Sequence, residues 1–247
     1  MARTVSVGTQ DFEELIQRDN FYIDKTRFIK EWWENEDAVT LITRPRRFGK
    51  TLNMDMLKRF FSVEYKDNGQ IFQKLNIWKE KKYRKLQGTY PVIFLSFALV
   101  KEKDYPNARA KLNELLVQIY EKYSFIKTSG MLGEKEMEYY NRISAGMNDS
   151  DATLALHQMS AFLFRYYGKK VIILLDEYDT PLQEAFLNGY WDEMVSFTRS
   201  LFNAAFKTNP YLERGIMTGV TRVSKESLFS DLNNIKVITM TANRYAC

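Results

Sequence analysis

The stretch Val39-Thr40-Leu41-Ile42-Thr43-Arg44-Pro45-Arg46-Arg47-Phe48-Gly49-Lys50-Thr51 decides the fold. Its first five residues are aliphatic or β-branched and predict a buried strand. A cationic loop ending in Gly-Lys-Thr follows, after which Leu52, Met56, Leu57, Phe60 and Phe61 recur at helical spacing. The order is strand, loop, helix.

Working outward, Tyr90 to Phe97 predicts a second buried strand, with Pro91 tolerable at its beginning. Residues 105 to 168 read as mostly helical. There Leu112, Leu115, Leu116 and Ile119 form one apolar stripe, and Ala155, Met159, Phe162, Leu163 and Tyr166 form another. Val171 to Leu175 is apolar on both faces, as central parallel strands are, and ends in Asp176-Glu177-Tyr178-Asp179. A helix from Tyr190 to Lys207, a strand from Arg214 to Arg222 and a fifth strand from Lys236 to Met240 complete the series. Upstream, Phe21-Tyr22-Ile23 is a short extended candidate, and Thr26 caps a helix whose apolar face holds Phe28, Ile29 and Trp32. Alternating strands and helices predict an α/β fold of three layers, with a mainly parallel sheet of five strands and a helical insertion between the second strand and the acidic one. Residues 1–247 read as a single domain.

Composition narrows the classes. Hydrophobic residues make up 45% of the chain and aromatic residues 15%, enough for a core and too much for a disordered chain. The 36 Lys and Arg exceed the 31 Asp and Glu, a net charge of +5 that favours anionic partners without choosing among them. One cysteine, Cys247, allows no disulfide within the chain, and with the lone His157 it makes no zinc ligand set. The single cysteine fits a reducing compartment, and neither a signal-peptide stretch at Met1-Ala2-Arg3-Thr4-Val5 nor an apolar stretch of membrane-spanning length is read, so the expectation is a cytoplasmic protein.

Ligands of parallel α/β sheets gather at the carboxyl ends of the strands. After the first strand, Gly49 lets backbone approach a phosphate, Lys50 supplies an ammonium for the β- and γ-phosphates, and Thr51 offers a hydroxyl to magnesium, as in a Walker A loop. Arg46, Arg47, Phe48 and Leu52 complete the expected nucleotide contacts of this loop. After the third strand, in the Walker B position, Asp176 can hold the metal and Glu177 can activate water. After the fourth, Thr221 and Arg222 are a hydroxyl and a guanidinium able to sense a γ-phosphate. The strand from Tyr90 to Phe97, between loop and acidic pair, points to the P-loop division with an inserted strand and a catalytic glutamate.

Three blocks, Arg44 to Thr51, Asp176-Glu177-Tyr178-Asp179-Thr180-Pro181 and Thr218-Gly219-Val220-Thr221-Arg222-Val223-Ser224-Lys225, resemble the bacterial AAA-ATPase-like family. Phe21 to Thr26 and Leu232-Asn233-Asn234 extend the resemblance over nearly the whole chain. It implies a P-loop fold of AAA or STAND type, in which the segment ahead of the loop, here residues 1–38, lies near the nucleotide; Tyr22, Asp24 and Lys25 would then stand near adenine. Family members commonly continue into a domain resembling PD-(D/E)XK nucleases, whose pattern is absent from these residues, so the chain reads as a fragment. One departure is Arg44, which stands where a full phosphate loop has its first glycine, a position where a side chain restricts the backbone.

The leading function is ATP binding with Mg²⁺-dependent hydrolysis, coupled to a conformational change in a partner or a further domain. No guanine-reading motif is present, which disfavours GTP. A second reading is a regulatory module that binds ATP or ADP with little turnover. A third is nucleic-acid binding through Lys79, Lys81, Lys82, Arg84 and Lys85, interleaved with Trp78 and Tyr83. Self-association into a homo-oligomer is left open.

Overall fold

A computed structural model describes residues 8–18, 20–221 and 234–239. The chain order is α1 (Phe12–Gln17), α2 (Arg27–Glu34), β1 (Val39–Thr43), α3 (Lys50–Phe61), α4 (Lys81–Arg84), β2 (Val92–Ser96), α5 (Tyr105–Lys122), α6 (Phe125–Thr128), α7 (Glu134–Arg142), α8 (Asp149–Tyr167), β3 (Val171–Asp176), α9 (Thr180–Asn188), α10 (Trp191–Phe202), β4 (Leu212–Gly219) and β5 (Ile235–Ile238). Short 3-10 turns bridge α3 to α4, and α10 runs into a π-helical turn, Asn203–Lys207.

The five strands form one sheet in the order β2-β3-β4-β1-β5, and every pairing is parallel. Strand residues alternate between two cores, as a period of two requires. Val39, Leu41, Ile93, Leu95, Val171, Ile173, Leu175 and Met217 face a cluster shared with α5, α8 and α10. Ile42, Val92, Ile172, Leu174 and Ile216 face the opposite cluster, with Phe28, Ile29 and Trp32 of α2 and Met54, Leu57, Phe60 and Phe61 of α3. The result is the three-layer α/β/α arrangement of a P-loop type fold.

Some sequence expectations shift. The strand from Tyr90 to Phe97 follows the Gly-Lys-Thr loop in the chain, yet in space it lies at the sheet edge as β2; the strand between β1 and β3 is β4. Phe21 and Ile23 belong to no strand and are exposed. Thr26 begins α2 without capping it through its side chain. Its hydroxyl instead donates to Asp24 (2.6 Å) and accepts from the Ile77 N–H (3.1 Å), anchoring the turn below α2. β4 ends at Gly219, and Arg222, Leu232, Asn233 and Met240 lie outside the described residues. No helix among the described residues is long and apolar enough to cross a membrane.

Polar contacts bolt α1 to the far half of α3. The Arg59 guanidinium donates to Asp55 (2.8 Å), Asp11 (2.7 Å) and Glu13, while Asp55 also pairs with Lys58 (2.6 Å) and accepts the Phe12 N–H (2.8 Å). Burial alone would raise the Asp55 pKa, but these donors outweigh it and hold the carboxyl below its ordinary value. A native pKa below the unfolded one means stability that is fully present above about pH 4 and lost as the pH falls through the native value. We therefore expect Asp55→Asn to cost roughly 2–4 kcal/mol at pH 7 in chemical denaturation. The gap to wild type should narrow under acid, and an equally stable variant at neutral pH would remove this network from the fold's energetics.

Candidate nucleotide-binding site

The first element of the site is the loop between β1 and α3. Gly49 caps α3 with a φ of 71°, in the left-handed region open to glycine. A second left-handed residue is Arg47, at a φ of 67°; Arg44 has no positive φ, so the conformational restriction read at the missing first glycine falls on Arg47 instead. The Arg44 N–H donates to the Gly219 carbonyl (3.1 Å), tying loop to β4. Lys50 Nζ donates to the carbonyls of Arg44 (2.9 Å) and Pro45 (3.0 Å), curling the loop over its own lysine. Burial pushes the Lys50 pKa down, against the pull of Asp176, Glu177 and Asp179. Arg46, Arg47 and Phe48 are exposed, while Lys50, Thr51 and Leu52 are half-buried.

The second element is the end of β3. Asp176 is 1% exposed, and its two oxygens accept hydroxyl protons from both sides: Thr51 at 2.7 Å from the start of α3, and Thr218 from β4. The backbone then turns sharply, because Glu177 adopts a φ of 53°. This left-handed turn separates the two adjacent acids, so their side chains leave the strand end in different directions. Thr180 meets Glu177 twice, by its N–H to the carbonyl (3.0 Å) and by its hydroxyl to Oε2 (3.3 Å).

The third element is the end of β4. Tyr178 is buried, its N–H donating to the Thr218 carbonyl (3.0 Å) and its hydroxyl to the Thr221 carbonyl (2.9 Å). Asp179, also 1% exposed, accepts from the N–H groups of Val220 and Thr221 and from the Thr221 hydroxyl. Gly219 is required by this close approach, since a Cβ there would lie 2.6 Å from Asp179 Oδ1 and 2.7 Å from Tyr178 Cε1.

A pocket beside the loop is lined by Phe28, Ile42, Arg44, Phe48, Lys50, Asn53, Met54 and Thr218. Lys50, Thr51, Asp176 and Glu177 thus converge at one end of the sheet, with Thr221 beside them. Tyr22 and Lys25 do not line this pocket. Tyr22 packs edge-on to Phe12, accepts the Lys25 N–H (3.1 Å) and lines a separate groove with Asp24 and Lys74. From the segment ahead of the loop it is Phe28 that reaches the pocket. Its helical spacing with Ile29 and Trp32 reads only as core; Asn53, three residues after Lys50 on α3, carries a weak signal of sharing the lysine's face.

The basic stretch has less to offer bases than its composition suggests. Tyr83 is 1% exposed and bonded to Glu34, and the Trp78 ring is stacked with Phe72 beneath the Arg84 guanidinium. Lys82 lies 3.7 Å from Glu34. His157 packs beside Tyr211 on α8. Among the described residues no group of three or more His, Cys, Asp or Glu is gathered as for a metal ion.

Residues 6–229 match the model of a family described as predicted AAA-ATPase. A curated relative from Azotobacter chroococcum mcd 1, described as an uncharacterized protein in the vnfD 5' region, is 27% identical over 246 residues. The match covers 99% of this chain and 42% of the relative, so the chain spans less than half of that protein's length. No solved structure matches the chain.

The crowding at Gly219 is directly measurable. Tyr178 and Asp179 are buried and hydrogen-bonded, so neither can yield to an added methyl. Gly219→Ala should lower stability by about 1–3 kcal/mol, the usual cost of overpacking. Gly146→Ala, where an added Cβ meets nothing within 4 Å, should change the thermal midpoint little. Equal midpoints for the two variants would contradict the close packing of β4 on the acidic turn.

Proposed function

The chain belongs to the predicted AAA-ATPase family, and on that premise we propose that it binds ATP with magnesium, hydrolyses the β–γ phosphoanhydride, and passes the resulting change of conformation to further chain or a partner. The observation that carries this reading is the 2.7 Å contact between Thr51 and Asp176, which joins the Gly-Lys-Thr loop to the acidic strand end across β4. A hydroxyl and a carboxylate brought together are hard oxygen ligands of the kind magnesium takes, so this pair fits the metal. Magnesium held there would neutralise charge on the β- and γ-phosphates.

The chain's own groups supply the rest. Lys50 would leave the Arg44 and Pro45 carbonyls for the phosphates, exchanging neutral acceptors for charged ones. The N-terminus of α3 adds backbone N–H groups and a favourable dipole. Glu177, beyond the metal pair, would orient water and take its proton, with the Thr180 hydroxyl steadying the carboxylate. Phe28 is proposed as the base contact in place of Tyr22 and Lys25, with Asn53 the nearest polar group on α3.

Calorimetry of ATP with magnesium, beside ADP and GTP, is the primary test. Lys50→Ala should weaken ATP binding by about 10- to 100-fold, the worth of a charge-assisted contact. Because burial depresses the free Lys50 pKa and phosphates favour the ammonium, wild-type affinity should fall as the pH rises through that depressed value. Lys50→Arg should lack the fall. Unchanged affinity in folded Lys50→Ala would remove the assignment of this loop.

A second pair of variants separates binding from chemistry. Asp176→Ala should weaken metal-dependent ATP binding, whereas Glu177→Gln should keep ATP and lose single-turnover phosphate release by on the order of 10²-fold or more. Wild type that binds ATP and never releases phosphate would make the chain a regulatory nucleotide module.

A further inference from the structure

One buried carboxylate of the acidic turn has no part in the reaction proposed above. Asp179 Oδ2 accepts four hydrogen bonds: from Val220 N (2.9 Å), Thr221 N (2.7 Å), Thr221 Oγ1 (2.8 Å) and Gln183 Nε2 (2.8 Å). Among the described residues no cation is bonded to it, and these four neutral donors offset part of the cost of burying its charge. All but Gln183 belong to the chain just beyond β4, two residues of which are thereby pinned to the turn. Tyr178 braces the same pair of segments through Thr218 and Thr221.

Between these anchors and Asp176 sits Glu177 in its left-handed conformation. Such a conformation costs a non-glycine residue on the order of 1 kcal/mol or more and persists only where its neighbours are fixed. Here they are fixed on both sides. Asp176 is held by Thr51, by Thr218 and by the Phe97 N–H on its carbonyl (2.9 Å). On the other side, the Asp179 carboxylate is the anchor with the most donors. The Thr221 hydroxyl is committed too: it has one proton, and that proton goes to Asp179, leaving none to offer a phosphate.

We propose that Asp179 is a positioning residue acting through Glu177: by pinning Val220 and Thr221 to the acidic turn, it fixes the backbone from which the Glu177 carboxylate works, and Thr221 is the far end of that pin and not a phosphate sensor. The inference rests on the reading of this site as an ATPase. It assigns the loop after β4 a mechanical task that the sequence, with a hydroxyl next to a guanidinium, disguises as a chemical one.

The test compares Asp179→Asn and Thr221→Val, each alone and combined with Glu177→Gln, by ATP affinity with magnesium and by single-turnover phosphate release. Asp179→Asn should leave affinity close to wild type and slow release by about tenfold or more, as a displaced general base does. In the Glu177→Gln background it should add no further loss, because the residue it positions is already disabled. Should Asp179→Asn not fold, exposed Thr221→Val carries the same comparison with a smaller loss. Release at the wild-type rate in folded Asp179→Asn overturns the inference alone. A loss that multiplies with that of Glu177→Gln also overturns it, since it marks an independent contact with the phosphate. Wild type that releases no phosphate overturns the ATPase reading itself, and the inference with it.

Discussion

A single buried carboxylate, Asp176, accepting one hydroxyl from Thr51 and another from Thr218, holds together parts of the chain that are remote in sequence. Thr51 belongs to the helix after β1, Thr218 to β4 and Asp176 to β3, so the contact spans the three central strands. An unpaired carboxylate at this depth would be costly; two donors, both fixed by regular structure, make it tolerable. With β4 between the other two strands, its Thr218 reaches Asp176 from the neighbouring strand while Thr51 reaches it from the start of α3. Strand order and site chemistry are therefore one constraint seen from two directions.

The two apolar cores serve that constraint in different ways. Beneath β3 and β4, α8 and α10 form a thick layer whose side chains, Phe162, Phe197 and Phe202 among them, are almost wholly buried. The opposite layer is thinner, made of α2, α3 and short turns, and is reinforced by polar joints: Arg59 to α1, and Asp24 with Thr26 to the turn at Asn76. The loop that would meet phosphate leads into this second layer, where buried aromatic side chains such as Trp32, Phe60 and Phe61 and the polar joints together fix α3.

Continuous apolar and β-branched runs made the fold legible: β1 and the start of β3 are bounded as the sequence indicates, and the alternation of strands with helices predicts the parallel sheet. Gly49, Lys50, Thr51, Asp176 and Glu177 were legible as one site because strand ends of such a sheet converge. Less legible was anything set by backbone angle or by what a side chain meets across the molecule. Neither Arg47 nor Glu177 advertises a positive φ, since that conformation is imposed by anchors distant in sequence. Thr26, Thr221 and Tyr22 have side chains suited to several partners, and only packing decides which partner wins. Trp78 and Tyr83 look like stacking surfaces beside lysines, yet burial turns them inward.

The pairing of β1 bears on how the chain is made. β1 pairs with β4 and β5 and has no hydrogen-bonded contact with β2 or β3, so Val39 waits for Gly215 and Ile235. During synthesis, at about 5–20 residues per second, the apolar strand leading to the Gly-Lys-Thr loop leaves the ribosome long before its neighbours exist. The β2–β3 pair and the helices between them can assemble first, with β1 and its loop added only when β4 arrives. The geometry of the Gly-Lys-Thr loop thus depends on strands encoded far downstream of it, so a chain lacking β4 has no partner to hold β1 in register.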